Sequence, residues 1–160
     1  MTNHHKIVLA FIAIIISGFF AWTYLSAFYS PFWTKLGAKI SAGHNPVAVS
    51  ELTEFSWDTV CLFSGYPLDL DETLKRVGIT ITDEHRSDFE WLKTTSDVWL
   101  IFFAENGRVI SVSRFPYSSI NIGGRQLMIG GIGCNKMTSS VFAVDDDHIF
   151  LTTEKDLSWD

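Results

Sequence analysis

The chain has two cysteines, Cys61 and Cys134, and a thiol at either position has the chemistry of a nucleophile, a metal ligand or half of a disulfide. They stand 73 positions apart, so they form no CxxC redox or zinc motif. In an oxidising compartment an even count in a small domain reads as a disulfide, one that closes a long loop and contributes about 3 to 5 kcal/mol. Two buried free thiols, or one reactive thiol, are the other readings, and no neighbouring residues form a thiol-enzyme signature.

The carboxylates allow a second chemistry. Asp58 follows Trp57, with Glu54, Asp69 and Asp71 nearby in sequence. A hydrolase would need Asp58 to work with a second carboxylate or with His148. Helix capping and surface charge account for the same residues, because Asp69 and Asp71 fall where a helix start favours anions. Asp145-Asp146-Asp147-His148 offers hard oxygen ligands but lacks the spaced glycine and distal glutamate of a calcium loop, so a solvated turn is expected. His4, His5, His44, His85 and His148 show no HxxxH or HExxH spacing, and neither a metal nor a cofactor is expected. The glycine-rich GGIGCNKMT, 130–138, has Asn135 before Lys136 and Met137 after it where a phosphate loop requires Gly and Ser or Thr. Its glycines are expected to permit a bulge or tight turn beside Cys134. GxSxG is absent.

These residues need elements to hold them. The length of 160 residues suits one compact domain with one core, plus a short anchor. Ile7 to Ala27 contains no charged residue, and a helix of that length covers the roughly 30 Å hydrocarbon layer. The run is longer than the apolar region of a cleaved signal peptide and ends among bulky aromatics, which favours a retained single-pass anchor in contact with lipid. Trp22, Tyr24, Tyr29, Phe32 and Trp33, with Lys35 and Lys39, are expected at the membrane interface. Lys6 stands against Lys35 and Lys39 across the span, so the positive-inside count is nearly tied. The extreme N-terminal position of the segment favours a domain outside the cytoplasm.

Ser30-Pro31 writes a helix start, Phe32, Leu36 and Ile40 make a stripe, and Gly43 a stop. A helix on the membrane surface and a helix packed on the domain both fit that stripe. His44-Asn45-Pro46 then reads as a linker, which divides the chain into an anchor over 1–29, a juxtamembrane helix and linker over 30–50, and a domain over 51–160.

Within the domain, Phe55, Trp57, Thr59, Cys61 and Phe63 alternate along a first strand, with Trp57 and Cys61 facing inward together. LDLDETLKRVG predicts a short helix with Leu70, Leu74 and Val77 buried and Gly78 as its end, and Asp83 to Lys93 a second helix capped by Asp83. Val98 to Phe115 predicts a hairpin about Asn106-Gly107, and SSVFAV with HIFLTT a second pair about Asp145-Asp146-Asp147. Between them Ile120, Ile122, Leu127 and Ile129 suggest one more strand. The predicted class is α+β, an N-terminal transmembrane helix followed by a small domain with an antiparallel sheet and one or two short helices.

From Glu51 onward nine Lys and Arg face eighteen Asp and Glu, a balance of −9. Nucleic acid is a poor partner for such a surface, and a basic protein a better one.

The pattern WDxVC at Trp57 to Cys61, the Tyr66-Pro67 turn, the hairpin LIFFAENGRVI and the late Gly133-Cys134 resemble a group of small bacterial exported proteins and lipoproteins. That group has Pro-Tyr where this chain has Tyr66-Pro67, and a lipobox where this chain has an apolar segment. The resemblance implies an envelope domain in which Cys61 and Cys134 pair, and it implies no catalytic residues. The resulting expectation is a non-enzymatic inner-membrane protein whose periplasmic domain binds another protein, as an immunity or inhibitor protein or as an accessory subunit of a membrane complex. The small envelope hydrolase built on Asp58 is the alternative.

Overall fold

The computed structural model describes residues 30–157 except 65–69, 96–97, 116–118, 123 and 132, together with Ile12, Ile15, Ser17 and Gly18. The chain forms two units, Met1–Ser30 and Pro31–Asp160. In the first, the four described residues are helical and exposed. Apart from these four, the anchor predicted over Ile7 to Ala27 lies outside the described residues, as do Trp22, Tyr24 and Tyr29. No helix among the described residues is long and apolar enough to cross a membrane.

The second unit begins with helix α1, Pro31–Ser41, and continues through strand β1, Val47–Ala48, and strand β2, Thr59–Ser64. Helices α2, Leu70–Val77, and α3, Arg86–Thr94, follow, and then strands β3, Trp99–Glu105, and β4, Arg108–Phe115. The chain closes with β5, Ser119–Ile122, β6, Arg125–Gly130, β7, Gly133–Lys136, β8, Ser140–Asp145, and β9, His148–Thr153. The class is α+β. One sheet has the order β1-β8-β9-β6-β5 and the other β4-β3-β2-β7. All pairings of these strands are antiparallel except β6 with β9, which is parallel.

Two clusters take the place of the single expected core, one on each face of the four-stranded sheet. Between the sheets, Val60, Leu62, Ile101 and Phe103 meet Val47, Leu127, Phe142 and Ile149, with Phe32, Trp33 and Leu36 of α1 closing the space. On the opposite face Cys61, Phe63, Leu100, Phe102 and Val109 are covered by Leu70 and Leu74 of α2 and Phe89 and Leu92 of α3. Alternate residues of a strand point to opposite faces, so a sheet covered on both sides requires apolar residues at every position. This is why β2 and β3 read as continuous apolar runs.

The first strand therefore differs from the expected alternation. β2 begins only at Thr59, and Trp57 lies in the cluster between the sheets while Cys61 lies in the one beneath the helices. The Trp57 indole N–H donates to Thr53 Oγ1 at 2.8 Å. Val77, predicted buried, is exposed, and Asp83 accepts from Arg86 Nη2 at 2.9 Å without capping a helix.

The turns follow local chemistry. Asn106 and Gly107 both take positive φ, the conformation a two-residue hairpin loop demands, and Asp146 does the same between β8 and β9. The segment around Ile120 to Ile129 forms a hairpin of two strands, β5 and β6, where one strand was expected. Gly131 has its own reason: with φ at +81°, a Cβ there would meet the Leu151 carbonyl oxygen at 3.0 Å. It sits where the chain leaves the five-stranded sheet after β6 and enters the four-stranded sheet as β7.

Residues 31–50 belong to the folded unit, not to a linker. Leu36 is fully buried, β1 pairs with β8, and the His44 amide donates to the Lys39 carbonyl at 3.1 Å. The domain boundary expected at Glu51 moves to Pro31.

Candidate functional site

The register of β2 against β7 sets Cys61 opposite Cys134, and the two sulfurs are bonded at 2.07 Å. Cys61 is fully buried on the helix side and Cys134 is half-buried beside it. A cystine has no thiolate, so the bonded pair offers neither a nucleophile nor a metal ligand.

Asp58 stands just before β2, where the ends of three strands converge. Its Oδ1 accepts from the Thr59 hydroxyl at 2.8 Å and its Oδ2 from the Asn106 backbone N–H at 2.6 Å. The Asp58 N–H donates to the Ala104 carbonyl at 2.9 Å, and its own carbonyl accepts from the Met137 N–H at 3.0 Å. The side chain thereby ties the β3–β4 turn to the start of β2, and the backbone carbonyl of the same residue holds the chain just after β7. The Thr59 hydroxyl first, then the Asn106 amide and the Lys136 charge, hold its carboxyl below the usual carboxylate range. A carboxylate with both oxygens taken and a depressed pKa is a poor proton carrier at neutral pH. Glu54, Asp71 and His148 are not among these partners: Asp71 binds Lys93 Nζ at 3.1 Å and His148 opens β9 in the other sheet, while Asp69 lies outside the described residues.

The acidic turn at Asp145-Asp146-Asp147 is exposed. Arg125 donates to the Asp146 carbonyl and lies 3.7 Å from Asp147, while the Met128 N–H donates to the Asp147 carbonyl at 2.7 Å. Among the described residues no three His, Cys, Asp or Glu side chains are grouped so as to hold a metal ion. Next to the turn lies a shallow recess of about 260 Å³, formed by Asn45 and Pro46, the β8 residues Ala143 to Asp145, Phe150 and Leu157.

Asn45 had no signal in the sequence, because its partner is 99 positions away. Its side-chain amide donates to the Val144 carbonyl at 2.7 Å and accepts from the Val144 N–H at 2.9 Å. The side chain thus continues the β1–β8 pairing by one step and walls the recess. A second group was equally invisible: Arg114 Nε donates to Asp88 at 2.6 Å and its guanidinium lies 4.9 Å from the Trp91 ring centre, with His85 Nδ1 3.6 Å from the same carboxylate. Helix α3 was foreseen, but its docking onto β4 was not.

Phe32 and Trp33, expected at a membrane interface, are core residues. Phe32 meets Phe103 and Phe142 edge-on with ring centres 5.6 and 5.9 Å apart, and Trp33 lies 4.9 Å from Phe115. Burying these rings among aromatics removes more apolar surface from water than leaving them in a headgroup layer. Lys35 and Lys39, expected at the same interface, are ion-paired with Glu54 and Glu51 and hold both carboxyls below their usual range.

Compared with known proteins, the chain matches no protein family, no curated protein and no solved structure.

Proposed function

We propose that this chain is a single-pass, membrane-anchored protein of a bacterial envelope whose acidic α+β domain binds another protein, as an immunity or inhibitor protein or as an accessory subunit of a membrane complex. The observation that carries the reading is the Cys61–Cys134 bond, because a cystine joining adjacent strands of a small domain suits an oxidising compartment such as the periplasm. The uncharged run Ile7 to Ala27 supplies the tether, and a net charge of −6 over the whole chain favours a basic partner. The exposed turn at Asp145 to Asp147, with the recess beside it, is the surface on which such a partner would meet both charge and shape. The likeness to small bacterial exported proteins points the same way.

Affinity purification of the full chain from solubilised membranes at low salt tests the reading. It should recover one stoichiometric partner, and the triple change Asp145→Lys, Asp146→Lys, Asp147→Lys should deplete it by an order of magnitude or more. Recovery of no stoichiometric partner from cross-linked membranes would overturn it. On a non-reducing gel the chain drawn from its own compartment should migrate as the oxidised form, and a reduced pair would remove the envelope assignment.

A further inference from the structure

Among the described residues Phe55 is the aromatic that the fold leaves at the surface, 41% exposed, although its ring packs edge-on against Phe103 with centres 5.3 Å apart. The same Phe103 ring also meets Phe32, in the first turn of α1, with centres 5.6 Å apart. Phe55 is thus one ring away from the point where the chain enters the domain. Met137, also exposed, reaches the same end of the four-stranded sheet through its bond to the Asp58 carbonyl.

Only three residues, 28–30, separate Ala27 from Pro31, and four Cα steps extend about 14 Å at most. Whatever medium holds the end of the apolar run is therefore within reach of the first turn of α1. Lys35 pairs with Glu54 and Lys39 with Glu51, and at the strand ends themselves Asp58 and Glu105 balance Arg108 and Lys136, so the charges at this end sum to zero. A surface with an exposed apolar ring, a nearby methionine and balanced charges is suited to an uncharged lipid interface more than to a polyanion.

We infer that the end of the domain carrying Phe55 and Met137 rests in the headgroup layer of the bilayer, with the Phe55 ring as its apolar contact. This inference rests on the membrane-anchored reading above. It assigns to Phe55 the interfacial role that the sequence suggested for Phe32 and Trp33.

The test is a collision measurement on the full chain in phosphatidylcholine nanodiscs, with the native cystine intact and one nitroxide placed in turn at position 15, 55, 137 or 84. Glu84 is exposed on the helix layer, across the four-stranded sheet from α1, and serves as the aqueous reference. Labels at 15, 55 and 137 should all favour oxygen over a nickel chelate, those at 55 and 137 by several-fold relative to 84. Position 137 repeats the measurement with the Phe55 ring in place. Position 15 in lipid with 55 and 137 matching 84 would leave the tether standing and overturn the docked face. A water-exposed label at 15 would remove the tether and this inference together. Labels at 55 and 137 shielded from both reagents would mark a protein or a second copy on this face, and overturn the lipid assignment. Adding phosphatidylglycerol should leave the ratio at 55 unchanged, and a several-fold rise would show that attraction to charge, not the apolar ring, sets the contact.

Discussion

The two cores on either side of the four-stranded sheet are assembled from the chain in different ways. Beneath the helices, the cluster draws on residues 61 to 112, with Cys134 added from farther on. Between the sheets, the cluster runs from Phe32 to Leu151. A core made from one continuous stretch closes short loops, whereas a core made from both ends of a chain must first bring distant segments together. The difference shows where each needs reinforcement. The helix-side core is tied to its one distant strand by a covalent bond, and the sheet-side core is held by interlocked rings, with Phe32, Phe55 and Trp57 all meeting Phe103.

The largest expected effect tests the covalent side. Replacing both cysteines, Cys61→Ala with Cys134→Ala, should lower stability by about 4 kcal/mol, because the bond closes a long loop in the unfolded chain. Chemical denaturation of the detergent-solubilised chain reads this directly. An unchanged midpoint would mean that β7 is held by its backbone pairing alone.

The next tests whether α1 belongs to the sheet-side core. Leu36→Ala removes a fully buried side chain and should cost about 3 kcal/mol, near the middle of the range for buried leucines. A loss below about 1 kcal/mol, the range of ordinary surface changes, would detach α1 from the core and restore a juxtamembrane role.

Asp58 ties the strand ends of the four-stranded sheet that separates the two cores, and Asp58→Asn should cost about 1.5 kcal/mol at neutral pH through two charge-assisted hydrogen bonds. Its folded pKa is lowered, so the folded protein binds this proton less readily than the unfolded chain does. The stabilisation is then full above the unfolded value of about 3.9 and is lost as pH falls through the folded value below it. Acid titration of the unfolding midpoint should show a shallower fall below about pH 4 for Asp58→Asn than for the parent. Equal slopes would show that the carboxylate is free in solution.

The smallest effect concerns the charges that cover the sheet-side core. Glu54→Gln should leave the unfolding midpoint where it was, since exposed pairs such as Lys35 with Glu54 are screened by water and salt. A measurable drop would mean that the pair orders the approach to Phe55.

Legibility in the sequence followed the range of the interaction. The Asn106-Gly107 hairpin, the Gly78 helix end and the turn between β8 and β9 were readable because each depends on the φ preference of one or two neighbouring residues. The Cys61–Cys134 pairing was one reading among several, since two cysteines allow one bond but do not require it. The hairpin β5–β6 was read as a single strand, because its two halves are apolar at the same spacing and only Gly124, at φ +83°, marks the break among the described residues.

The candidate site was less legible still. Asp58 is recognisable as a carboxylate beside a tryptophan, but that both its oxygens are taken depends on Asn106, 48 positions away. The recess beside Asp145 depends on Asn45 binding Val144 across 99 positions. An amphipathic stripe such as Phe32, Leu36 and Ile40 states that one face of a helix avoids water without saying what covers it.

By itself the sequence determined the local pieces of this protein: an uncharged run at the N-terminus, helices ended by glycine, hairpins turned by Asn-Gly and Asp, and an acidic surface. These follow from side-chain chemistry and backbone preference acting over a few residues. The tertiary structure alone decided that the middle sheet is covered on both faces, that α1 plugs the space between the sheets, and that Cys61 meets Cys134 across adjacent strands. Those outcomes depend on which apolar surfaces find one another, and hydrophobic burial has no direction along the chain.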